Sequence, residues 1–107
     1  MRYLMLVYSN PTKEERPMDE WMAFHSQYGA SGQMQLAERL HPVAAAKTVR
    51  DAGTSEGSPV TGDEFISGVY IFDCADMDEA LQIAAQCPAS KTGAVEVRPI
   101  FMPPQSG

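Results

Sequence analysis

At 107 residues with a net charge of −6 and an isoelectric point near 4.7, the chain has the length of one domain that buries roughly two thirds of its unfolded surface. Its charge and the lack of any basic cluster exclude a nucleic-acid surface, which would need Lys and Arg to neutralise phosphates. The N-terminal apolar run Tyr3 to Tyr8 is too short for a signal-peptide core, has no small-residue cleavage site after it, and no other stretch could span a bilayer, so a cytoplasmic protein without a membrane partner is expected.

The first element, Arg2 to Tyr8, places Leu4, Leu6 and Tyr8 on one side and Tyr3, Met5 and Val7 on the other. A strand apolar on both faces is predicted to lie centrally in its sheet. Asn10-Pro11 ends it, and a helix follows from about Met18, with Pro17 in its first turn and Asp19 and Glu20 at its positive end. Trp21, His25, Tyr28 and Gly32 fall on one face of this helix, and Ser31-Gly32 reads as its left-handed stop. Gln33 to Ala37 alternates as a half-exposed strand, His41-Pro42 breaks it, and Ala45 to Arg50 is a further strand. Asp51 to Pro59, rich in Gly and Ser, is a turn or mobile loop leading to a short Pro59-Val60 segment, and Thr61 to Glu64 is a second turn.

The strongest unit is Gly68 to Pro88. Val69, Tyr70, Ile71 and Phe72 form a second strand apolar on both faces. Asp76 caps the helix after it and Glu79 reaches back in a reciprocal box, with Asp78 adding charge at the positive end. Met77, Ala80, Leu81, Ala84 and Ala85 are expected to form the stripe on the sheet, with Leu81 between helix and sheet and Pro88 ending the turn. Strand, turn and helix should hold Cys74 and Cys87 roughly 15 Å apart, too far for a disulfide, so both read as buried small hydrophobes. No metal is expected, because neither cysteine has a CxxC partner and His25 and His41 lack an i,i+4 mate. Ala89 to Gly93 reads as a loop, Ala94 to Arg98 as an edge strand, and Pro99 to Gly107 as a Pro-rich tail.

This order predicts an α+β domain, a ferredoxin-like βαββαβ arrangement with an extra hairpin and both helices on one face of the sheet. The open face, apolar on its two central strands, then needs a cover, and a second copy of the same sheet predicts a homodimer.

Tyr3-Leu-Met-Leu-Val-Tyr8, Leu40-x-Pro42, Thr48-Val-Arg50, Val60-Thr61, Gly68-Val-Tyr-Ile-Phe-Asp73, Asp76-x-Asp-Glu-Ala80 and Val95-Glu-Val-Arg-Pro99 together resemble the YCII-related proteins, in particular the DGPF-domain branch, over nearly the whole chain. The resemblance implies a ferredoxin-like subunit pairing into a dimeric α/β barrel, mostly of unknown function and often encoded beside extracytoplasmic-function sigma factors. It also implies that some members of the wider superfamily are enzymes using a histidine and an aspartate in a pocket. The loop that names the branch is reduced here to Thr61-Gly-Asp-Glu-Phe-Ile-Ser67, with no Pro after the acid. Aligning the Ser31-Gly32 helix end puts the family's histidine position at Trp21, with His25 one turn further on.

His25 is the candidate general base, since imidazole titrates near neutral pH, although a helix histidine beside Trp21 and Tyr28 also reads as a packed residue. Asp63, or Glu64 beside it, is the candidate orienting carboxylate, or else an ordinary turn former. Arg50 and Arg98 could clamp an anion, or form a surface ion pair with Glu96. Two functions follow. One is a cofactor-free enzyme or binder for an aromatic or carboxylate compound, its pocket between the first helix and the sheet lined by Trp21, His25, Tyr28 and Arg50. The other is a non-catalytic accessory protein, binding a ligand or protein partner in a sigma-factor operon.

Overall fold

The computed structural model describes residues 1–60 and 62–102; the turn expected at Thr61 and the end of the Pro-rich tail lie outside the described residues. Its elements are β1 (Arg2–Ser9), α1 (Met18–Ser31), β2 (Met34–Arg39), a 3-10 turn (Val43–Ala45), β3 (Lys47–Arg50), β4 (Gly53–Glu56), β5 (Phe65–Asp73), α2 (Met77–Gln86), α3 (Ala89–Thr92) and β6 (Ala94–Pro99). Four strands form one sheet in the order β2-β5-β1-β6, with all three ladders antiparallel. The two strands apolar on both faces, β1 and β5, are its centre, and the order and directions are those of a ferredoxin-like sheet. The β3–β4 hairpin is a separate two-stranded sheet inserted between β2 and β5.

Register sorts the side chains. Tyr3, Met5 and Val7 of β1 lie opposite Phe72, Tyr70 and Gly68 of β5, and this face carries the core. Phe24 and Tyr28 of α1, Ala80, Ile83 and Ala84 of α2, Cys87, and Ala89 of α3 complete one buried cluster with it, so the helices share that face. The other face presents Leu4, Leu6 and Tyr8 beside Ile71, Val69 and Ile66, half-buried or exposed. Gly93, the residue before β6, lies hard against β1, where any Cβ would stand 2.0 Å from the Tyr8 carbonyl oxygen. Among the described residues no helix is long and apolar enough to cross a membrane.

Local signals decide the helix ends as expected. Gly32 is the left-handed C-cap of α1 at φ 79°, its N–H bonded to the Gly29 carbonyl. Asp76 accepts from the Glu79 N–H at 2.9 Å, and Glu79 reaches back to the Ala75 N–H at 3.2 Å and also binds the Gln33 side chain at 2.9 Å, tying α2 to the start of β2.

Several expectations are corrected. Leu81 is 51% exposed and Ala85 is exposed, whereas Ile83 is 3% exposed. Two stripes share Ala80 and Ala84, and the helix turns in the one that adds Ile83 and leads into buried Cys87. On α1 the inward pair is Phe24 and Tyr28, with Trp21 packed beside them and His25 at the rim. Residues 89–92 form a helical turn, because Pro88 takes helical backbone angles and Ser90 Oγ donates to the Cys87 and Ala85 carbonyls. Gly53–Glu56, read as loop, pairs with Lys47–Arg50; its ladder is joined by Lys47 and Glu56 at 2.7 Å, with no apolar alternation to announce it. The central strand begins at Phe65, three residues before Gly68.

The helix orientation is testable by thermal denaturation. Ile83→Ala should cost about 2–4 kcal/mol, while Leu81→Ala should change stability by less than about 1 kcal/mol. The reverse ranking would mean that α2 is rotated.

Candidate functional site

The site begins with an irregularity between the two central strands. Val7 pairs with Gly68 but Tyr8 with Ile66, so Ser67 is an extra residue on β5, a β-bulge. Its hydroxyl lies 2.7 Å from that of Ser9, and its carbonyl accepts from the Leu40 N–H. Next to it, Gly68 faces the helices with no side chain, and a Cβ there would stand 3.1 Å from the Glu38 carbonyl oxygen. Further along β5, Tyr70 and Phe72 fill the space under α1 together with Phe24 and Tyr28. Over Gly68 nothing of that size rises from the sheet, and a cavity of about 490 Å³ opens between α1 and the sheet.

Trp21 and Met18 form its apolar wall, Val7 and Ala37 its floor, and His25 and Tyr70 its inner end. His25 Nε2 is 2.6 Å from the Tyr70 hydroxyl, with the two rings edge to face. Tyr70 is 6% exposed, and its ring is held by Phe24 and Phe72 at centroid distances of 5.7 and 5.8 Å. Burial, with a smaller push from nearby Cys87, raises the Tyr70 hydroxyl far above the usual phenol range. Tyr70 therefore stays neutral and can donate to His25, whose ring projects from the rim of α1 into accessible space. Burial likewise pushes the Cys87 thiol up to about 11, and both cysteines are free and buried.

The charged residues of the cavity differ in commitment. Arg16 Nε donates to both carboxylate oxygens of Glu20, at 3.1 and 3.0 Å, and Lys91 approaches Glu20 at 3.3 Å. Arg16 above all holds the Glu20 carboxyl below its ordinary range. Arg39 has no side-chain hydrogen bond or ion pair among the described residues, and it lines this cavity and a second one of about 420 Å³ that reaches Leu40, His41 and Phe65.

Of the residues expected to act, Trp21 and His25 meet at this cavity. Tyr28 does not line it: it is a core residue whose hydroxyl donates to Gln86 Oε1 at 2.7 Å. Arg50 belongs to the β3–β4 hairpin, and Asp63 is exposed in the turn before β5; neither lines the cavity. Arg98 lies on the other face of the sheet, opposite Leu4, with Nε 3.7 Å from Glu96 Oε2, and Glu96 accepts from the Tyr8 hydroxyl at 2.8 Å. That pair is the surface reading of Arg98, without Arg50. Among the described residues no three His, Cys, Asp or Glu side chains gather to hold a metal. Sequence reading did not place Tyr70, Arg39, Ser9 or Ser67 at this cavity. The only local sign was Ser67-Gly68 at the head of an otherwise bulky strand, since the His25–Tyr70 contact joins residues 45 positions apart.

The chain matches the YCII-related domain over residues 1–103, and it belongs to that family. An uncharacterised protein of Rhizobium meliloti (strain 1021) is 32% identical to it, over 95% of this chain and 94% of that protein. Among solved structures it is similar to the 5-chloro-2-hydroxyhydroquinone dehydrochlorinase of Burkholderia phenoliruptrix AC1100, in complex with 2,5-dihydroxybenzoquinone. The match covers 94% of each chain with 15% identity and a TM-score of 0.51, a likeness of fold.

Tyr70→Phe tests the central contact, because it keeps the ring and removes the hydroxyl. It should lower stability by about 1 kcal/mol and move the His25 Nε2 nitrogen resonance in NMR spectra. An unmoved resonance would show that the two groups are not bonded in solution.

Proposed function

We propose that this YCII-related protein binds a small aromatic or carboxylate compound in the cavity between α1 and the sheet and that His25 exchanges a proton with it. The observation that carries the reading is the 2.6 Å contact between a rim histidine and a buried neutral phenol, both facing the same cavity. Trp21 offers a ring-sized apolar wall, and a volume of about 490 Å³ suits a ligand of one ring. A ligand hydroxyl would give its proton to the Tyr70 oxygen as Tyr70 passes its own to His25 Nε2, leaving a ligand anion, an imidazolium and an intact phenol. Because burial disfavours the phenolate, Tyr70 relays the proton without resting as an anion. The transfer uses no cofactor. The structural relative is compatible with this chemistry, being an enzyme solved with a hydroxylated quinone, though its likeness rests on fold.

The second reading, an accessory protein that binds without catalysis, is favoured by one observation: among the described residues no carboxylate is bonded to His25 to orient it as a base. In NMR titration with phenolic and carboxylate compounds, the His25 and Trp21 resonances should shift together, and His25→Gln should weaken binding severalfold. No response of the His25 and Trp21 resonances to any compound would give the accessory reading first place.

The working unit in this reading is a cytoplasmic homodimer. Leu4 and Leu6 on β1 with Val69 and Ile71 on β5 make an apolar strip on the face away from the cavity, and pairing two such faces would form the α/β barrel. Light scattering should give twice the chain mass of 11.7 kDa at micromolar concentration. A mass of one chain would remove the barrel.

A further inference from the structure

We infer that the neck between the two cavities is a carboxylate subsite, in which Arg39 takes the anionic group of the ligand with help from the Ser9 and Ser67 hydroxyls. This deepens the binding reading above and rests on it, naming the substrate class as a monoanionic carboxylate that carries a hydroxylated ring.

The neck is defined by the four residues common to both cavities: Ser9, Glu15, Arg39 and Ser67. Arg39 pairs in register with Gly68, so it sits on β2 beside the place where the sheet lacks a side chain, and its guanidinium serves the space that Gly68 leaves open. Arg16, the other arginine of the cavity, is occupied by Glu20. Arg39 has no such partner among the described residues, and a planar fork of donors without a carboxylate is suited to receive one. The bulge supplies the rest. It is the extra residue, Ser67, that brings a hydroxyl within 2.7 Å of Ser9 Oγ. Ser67 Oγ also lies 3.4 Å from the Val7 carbonyl oxygen, so its single proton has two acceptors: while it goes to Val7, Ser9 donates to Ser67, and when an anion enters, Ser67 turns its proton to Ser9 and the Ser9 proton goes to the anion.

Charge makes the position selective. The chain carries −6 overall, so an anion is disfavoured unless a local cation meets it, and at the neck that cation is Arg39. Glu15 at the same neck, and Glu38 in the lining of the first cavity, oppose a second negative charge, which favours a monoanion over a dianion; His41 lines the second cavity. With the carboxylate at Arg39, a ring reaching inward along Trp21 would bring its hydroxyl to Tyr70 and His25, since all of them line the inner cavity.

The test compares two probes that differ in the carboxylate, 2,5-dihydroxybenzoate and hydroquinone, by calorimetry and by NMR of the Trp21 and His25 signals. The protein should bind 2,5-dihydroxybenzoate about tenfold more tightly than hydroquinone, the worth of one hydrogen-bonded charge pair. Arg39→Gln should erase that preference, bringing the ratio of the two affinities to about one. Glu15→Gln should widen the preference for the carboxylate probe a fewfold. Equal binding of the two probes, or a preference that survives Arg39→Gln, would overturn the subsite while leaving the pocket reading intact. Failure of both probes to move Trp21 and His25 would overturn the pocket reading, and the subsite with it.

Discussion

The register shift at Ser67 is the constraint on which the site depends. Up to Val7 and Gly68, β1 and β5 run in step and alternate cleanly between a helix-facing and an open face. One extra residue then breaks the step, and the absence of a side chain at Gly68 leaves α1 without support at that end of the sheet. The aromatic packing of Phe24, Tyr28, Tyr70 and Phe72 fills the other end, with ring centroids 5.2 to 6.0 Å apart. Core and cavity are thus two halves of one layer, divided at Tyr70. Its ring belongs to the core and its hydroxyl to the cavity.

That division has an energetic logic. A phenol buried in an aromatic cluster needs a partner for its hydroxyl, or the core loses stability by the cost of an unpaired polar group. His25 supplies the partner from the rim, where it also meets solvent. The contact therefore stabilises the fold whether or not a ligand is present, and it holds the imidazole in one orientation before any ligand arrives. Preorganisation of this kind comes as a by-product of satisfying the core, and no buried side-chain polar atom among the described residues is left unpaired.

Electrostatics follow the same economy. In this acidic chain four of the eight Lys and Arg side chains are engaged at the surface: Arg16 and Lys91 with Glu20, Lys47 with Glu56, Arg98 with Glu96. These pairs are exposed enough to contribute little individually. Their larger effect is to remove those cations from competition, leaving Arg39 as the guanidinium that serves both cavities.

The sequence by itself determined the frame. Strands built of β-branched and aromatic residues on both faces had to be central, where neighbouring strands pair both of their edges, and Gly32 and Asp76 had to end or start helices because their backbone and side-chain chemistry is local. The family could be read for the same reason, through short motifs in a constant order. Helix rotation was beyond it: Leu81 and Ile83 are equal candidates on a helical wheel, and only the shape of the sheet under α2 chose Ile83. The cavity was further beyond it, because Tyr70, Arg39 and Ser67 come to line it through register, and register is a property of paired strands. Asp63, Arg50 and Arg98 were candidates by residue type alone; the turn, the separate hairpin and the opposite sheet face leave them outside the lining of the cavity that His25 shares. What the tertiary structure decided was which polar groups share a space, since that depends on contacts between residues distant in the chain.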